Sequence, residues 1–230
     1  MIKLFFRLTF VLMALVSCSQ KKWSYDNQEK WGEKAENKFC KIGYNQSPID
    51  VKYDFLESEL QFSYTKSEVE KRPFNYVMRT EFFSRDYVLR KRKYFIRYLE
   101  FHHPSEHLLN SEPHSLEMQI LHKSEDEQWL VVAVFLEVGK ENPKFDDLIK
   151  FLESKEIEGE IDLAKIIKTD DNIFFYDGSL TTPPCREGVK WYVMKTPLYL
   201  SKEQMNKIIK SAILGKSNAR KIQEFHPEKF

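Results

Sequence analysis

Trp129 to Val138 is an almost unbroken apolar run. A segment of that length without alternation is a strand covered on both faces, so the chain must build layers on either side of a sheet. Two neighbouring segments carry the complementary signal. Ser115 to His122 alternates, with Leu116, Met118 and Ile120 on one face and Glu117, Gln119 and Leu121 on the other. Tyr94 to His102 is a further long strand candidate, as is Val189 to Met194, and from Leu60 the residues Leu60, Phe62 and Tyr64 alternate with polar ones. Helices are few. Asn142-Pro143 opens a segment with Phe145, Leu148, Ile149 and Leu152 at helical spacing, and Ser201 with Gln204 makes a capping box. The expected fold class is mainly β with few surface helices, built on a large central twisted, mostly antiparallel sheet. Aromatic residues at 14% suit such an interior. Lys21 to Lys38, with Trp23, Tyr25 and Trp31, reads as an irregular segment held on by its aromatics.

The start of the chain has a different character. Lys3 and Arg7 precede an apolar stretch, Leu8 to Val16, broken only by Thr9, and Leu15-Val16-Ser17-Cys18 resembles a bacterial lipobox. The expectation is a signal peptide over 1–17, a lipidated Cys18, and one domain over 18–230. The alternative is an ordinary secretory signal cut nearby. Either reading places the protein outside the cytoplasm, as a periplasmic or cell-envelope lipoprotein of a bacterium on the first. With Cys18 lipidated, Cys40 and Cys185 are the two cysteines left of three, and in an exported protein such a pair should oxidise. A formal net charge of +1 disfavours a nucleic-acid partner. Arg85, Arg90, Lys91, Arg92, Lys93 and Arg97 form a local basic cluster, read as a solvated hairpin, with a patch for anionic sugars or lipid headgroups as the alternative.

Five of the six histidines fall between His102 and His122, which points to metal chemistry. His103-Pro104-Ser105-Glu106-His107 matches a metalloprotease string, but that chemistry needs a helix, and Pro104 disfavours the α conformation at 103. A sheet converges ligands differently. Glu100 and His102 share one face of one strand, and the next strand offers Glu117 and Gln119.

Phe101-His102-His103-Pro104-Ser105-Glu106-His107 and Leu116 to Lys123 resemble the metal-site region of the bacterial α-carbonic anhydrases. Gln46-Ser47-Pro48-Ile49, Ser179-Leu180-Thr181-Thr182-Pro183-Pro184, Trp191, Ser201 to Gln204, and Asn218-Ala219-Arg220 with Gln223 extend the match from about Trp23 to Gln223. The resemblance implies a zinc ion on three histidines, hydrating carbon dioxide to bicarbonate. It implies a disulfide between Cys40 and Cys185. It also assigns Thr181 and Glu106 as the pair that orients the zinc-bound hydroxide, Glu117 as the support of the third ligand, and Leu121, Leu180 and Thr182 as the walls of the substrate pocket.

At the centre the match breaks. The three ligand positions are Glu100, His102 and Gln119, so two imidazoles are missing, and Phe74 falls near the usual proton shuttle. An amide oxygen is a poor zinc ligand beside imidazole, and a carboxylate lowers the metal's acidity. Zinc is expected to be absent or weak, with Glu117 accepting from the Gln119 amide if it binds. Two functions compete: a catalytically silent binding module, and a zinc-dependent carbonate dehydratase with an atypical site acting on carbon dioxide and bicarbonate. The partners implied are a small molecule in the pocket and the membrane, through a lipid on Cys18.

Overall fold

The computed structural model describes residues 23–52, 60–168 and 172–226. Cys18 and the signal peptide expected over 1–17 lie outside them. In chain order the strands are β1 (Asp50–Val51), β2 (Gln61–Ser63), β3 (Lys66–Phe74), β4 (Val77–Phe82), β5 (Tyr87–Arg90), β6 (Arg92–His102), β7 (Leu108–Leu109), β8 (Glu112–Pro113), β9 (Leu116–Lys123), β10 (Trp129–Val138), β11 (Glu158–Asp162), β12 (Ile173–Ser179) and β13 (Glu187–Leu200). The α-helices are α1 (Phe39–Ile42), α2 (Asp146–Glu153), α3 (Leu163–Ile166) and α4 (Lys202–Ala212).

One large sheet carries the domain, in the order β11-β3-β4-β6-β9-β10-β13-β12, with β5 on the edge of β6 and β2 on β5. Its pairings are antiparallel except β10 with β13, so the expected mostly antiparallel sheet is the observed one. The apolar run of β10 sits in the interior, between β9 and β13. Its even residues Leu130, Val132, Val134 and Leu136 join one core with Leu116, Met118 and Ile120. Its odd residues Val131, Ala133 and Phe135 join a second with Leu121, Tyr176 and Trp191. This is the two-sided burial that the missing alternation demanded.

Helices cover the first core. Phe145, Leu148, Ile149 and Leu152 enter it from a 3₁₀ turn and α2, and Met205 and Ile208 from α4. Asn142 caps the first of these by accepting from Lys144 N, and Ser201 and Gln204 form the reciprocal capping box. The segment from Trp23 is 3₁₀ rather than irregular. Trp31 is buried; Trp23 and Tyr25 pack edge-on against it, and Tyr25 edge-on and Trp23 tilted against Tyr76. The Leu60–Tyr64 alternation yields only the three-residue β2. The basic cluster lies on the β5–β6 hairpin, where Arg92 pairs with Asp126, Lys93 stacks on Tyr87 and Arg90 on Phe175.

Candidate functional site

β6 and β9 run antiparallel, with Glu100 opposite Gln119 and His102 opposite Glu117. Because alternate residues share a face, Glu100, His102, Glu117 and Gln119 converge on the side away from the helices. A bulge between Ile96 and Tyr98 shifts the register ahead of them. All four are buried: Glu100 is 5% exposed, Gln119 1%, and His102 and Glu117 not at all. Residues 103–107 form no helix, so the protease string has no structural basis.

The sequence reading missed Arg79. β4 pairs with β6 through Thr80–Leu99 and Glu81–Tyr98. One more step of that register puts Arg79 across from Glu100, and its Nε donates to Glu100 Oε2 at 2.8 Å. The guanidinium carbon lies 3.5 Å from the Phe74 ring centroid and 4.0 Å from that of Tyr98, so aromatic faces flank the cation. Burial works to raise the Glu100 carboxyl, but Arg79 and then His102 outweigh it and hold it down at about 2.

His102 is fixed by the segment that follows α4. Its Nδ1–H donates to Asn218 O at 2.7 Å, while Asn218 donates to Phe101 O and accepts from His103 N. This settles the ring's orientation and leaves Nε2 facing Glu100 Oε1 at 3.6 Å, without a hydrogen bond. Burial would lower the imidazole, yet Glu106 and Glu100 overcome it and hold it up at about 9.

Gln119 donates from Nε2 to both Glu106 Oε2 and Glu117 Oε1, each at 2.9 Å. The two carboxylates dictate that the NH₂ end faces them. Glu117 also accepts from His107 Nδ1 at 2.9 Å and His107 N at 2.8 Å, and His107 Nε2 meets the Tyr176 hydroxyl at 2.7 Å. Glu117 is held at about 2, because His107 outweighs the burial that would raise it. Glu106 takes a further bond from Arg220 N at 2.9 Å. Among the described residues no hydrogen bond joins Thr181 to Glu106.

Thr181, Thr182 and Leu180 stand on the loop between β12 and β13. Ser47 holds its start, donating from N to Ser179 Oγ and accepting from Ser179 N at Oγ. Gly178 allows this approach, since a Cβ there would meet Ser47 Oγ at 2.2 Å. The Cys40–Cys185 disulfide is formed, and Gln46 donates to Cys185 O. A cavity of about 190 Å³ opens between this loop and the sheet, lined by Phe74, Arg79, Tyr98, Glu100, Gln119 and Thr181 among others. Leu121, Leu180 and Thr182 also line it.

At the three expected ligand positions, Glu100 is engaged by Arg79 and Gln119 presents an amide that donates to Glu106 and Glu117. Among the described residues no group of three or more His, Cys, Asp or Glu side chains could hold a metal.

The family model described as eukaryotic-type carbonic anhydrase matches residues 26–227. The chain is 32% identical over 221 residues to alpha carbonic anhydrase 8 of Arabidopsis thaliana, covering 87% of this chain and 56% of that protein, so it spans little more than half of that relative's length. It superposes on the α-carbonic anhydrase of Thermovibrio ammonificans, solved with sulfanilamide, with TM-score 0.77, 32% identity, and coverage of 86% and 91% of the two chains. A dioscorin solved with ascorbate gives TM-score 0.75, 29% identity, and coverage of 86% and 89%.

Proposed function

This chain belongs to the carbonic anhydrase family, and we propose that it works there as a metal-free binding module rather than as a carbon dioxide hydratase. The observation that carries this reading is the 2.8 Å bond from Arg79 to Glu100. That guanidinium sits against the first ligand position. A zinc ion would have to displace it from Glu100. The hydration reaction needs a nucleophilic hydroxide near neutral pH, and a carboxylate and an amide at two ligand positions would leave a metal-bound water less acidic than three imidazoles would. Phe74 at the cavity wall carries no proton either. The ascorbate in the dioscorin structure supports the idea that this fold also serves as a small-molecule receptor.

In the same proposal the protein is exported and anchored by a lipid on Cys18, with the pocket outside the cytoplasm. The test is the zinc content of protein purified without chelator, together with carbon dioxide hydration followed by stopped flow. Substoichiometric zinc and a rate at the uncatalysed background are expected. Stoichiometric zinc with fast hydration establishes the dehydratase instead.

A further inference from the structure

The Arg79 guanidinium is held on three sides. Phe74 and Tyr98 flank its two faces, and Glu100 takes the Nε edge. What remains is the edge carrying the two terminal nitrogens, with the Tyr98 hydroxyl as its protein neighbour. Arg79 is 15% exposed at its side chain and lines the 190 Å³ cavity. A ligand therefore meets this cation in the plane of the fork, the approach for which a planar carboxylate is shaped.

The opposite wall supplies complementary groups. Both donors of the Gln119 amide are directed to Glu106 and Glu117, so the group it can still offer is a carbonyl oxygen. Thr181 and Thr182 line the cavity with hydroxyls that make no protein hydrogen bond among the described residues. The cavity thus presents a two-pronged cationic donor on one side and an acceptor with hydroxyls on the other. Its volume of about 190 Å³ admits only a small organic acid.

We infer that this cavity binds a small hydroxycarboxylate, its carboxylate on the terminal nitrogens of Arg79 and its hydroxyl on Gln119 and the Thr181–Thr182 loop. The inference rests on the metal-free reading above, with an arginine in the anchoring position that a metal ion would otherwise hold. It also gives Phe74 and Tyr98 a purpose: they confine the guanidinium to one plane and shield the ion pair it forms with the ligand.

The probes are glycolate, acetate and acetamide, titrated into metal-free protein while the Arg79 Nε–H and Thr181 amide resonances are followed by NMR. Glycolate should shift both saturably, acetate should bind several-fold more weakly, and acetamide at least about tenfold more weakly, because it lacks the charge. Arg79→Met with Glu100→Gln removes the cation without stranding a buried carboxylate, and should weaken glycolate at least about tenfold, read at the Thr181 amide. Arg79→Lys keeps the charge, loses the fork, and should weaken it as well. If the double variant does not fold, Arg79→Lys and the acetamide control decide the question. Equal binding of acetamide and glycolate, unchanged affinity in a folded variant, or no saturable shift with metal-free wild type overturns the inference and leaves the metal-free reading standing. Stoichiometric zinc in the purified protein, with binding abolished by chelation, overturns the metal-free reading itself.

Discussion

Gln119 Nε2 lies 2.9 Å from Glu106 Oε2, and Arg220 N lies 2.9 Å from the other oxygen of the same carboxylate. With His102 Nδ1 also 3.5 Å from Oε1, Glu106 is surrounded by donors belonging to the frame of the site. Among the described residues no hydrogen bond makes the threonine–glutamate relay implied by the family resemblance, and Thr181 lines the cavity. The amide of Gln119 thus engages Glu106 as well as Glu117.

Arg79→Met alone should destabilise the fold by about 3–5 kcal/mol, because it leaves the 7%-exposed Glu100 carboxylate without its partner. Adding Glu100→Gln should recover most of the loss. Urea denaturation of the two single variants and the double variant measures the coupling, and additive effects would refute it.

Rebuilding a zinc site takes more than two histidines. Glu100→His with Gln119→His supplies the imidazoles but leaves Arg79 beside the metal without its counter-ion. The double variant should bind zinc weakly, and the triple variant with Arg79→Ala should bind it tightly and gain hydration activity. Zinc titration with stopped-flow hydration decides, and equal affinity in the two variants would clear Arg79 of the blocking role.

Cys40 and Cys185 are separated by 145 positions. Tethering so long a loop restricts the unfolded chain, and replacing both cysteines by serine should lower stability by about 2–5 kcal/mol. Cys185 N also donates to Thr182 O at 2.8 Å, so the Thr181 and Thr182 amides should exchange faster in the reduced protein. Unchanged exchange would separate the disulfide from the cavity loop.

Burial pushes His122 down to about 3, with its Nε2 against the Tyr64 hydroxyl at 2.8 Å. The unfolded chain takes up this proton near 6.5 and the folded chain only near 3. The contribution is therefore full above 6.5 and is lost as pH falls from 6.5 toward 3. His102, held at about 9, acts with the opposite sign: its contribution is full below 6.5 and lost as pH rises through 9. Denaturation midpoints of wild type and His122→Asn between neutral and acidic pH should differ in slope, the variant being flatter. Parallel slopes would show that His122 does not report its burial.

The polarity of each face of β9 and the two-sided core of β10 were legible, because each rests on a period within one segment, whereas the β6–β9 pairing followed from the family resemblance. Arg79 was not. The segment Val77-Met78-Arg79-Thr80-Glu81-Phe82 has no clean alternation, and its partner is set by tertiary pairing across some twenty residues. A polar residue at 79 signals a buried ion pair only once Glu100 is known to face it. The 3₁₀ course of the Trp23 segment was hidden for a similar reason, since its aromatics have no periodicity and are ordered by Tyr76.

Asn218 and Arg220 close the site from positions 116 and 114 residues beyond the groups they bind, His102 and Glu106. Synthesis runs in one direction, so a growing chain can lay β6 against β9 long before the donors and acceptors that lock His102 and Glu106 exist. The same tail also ties Arg220 to Gln46 and Ser47 and Gln223 to Pro48, so one late stretch of chain fastens both the floor of the pocket and the segment that supports its loop.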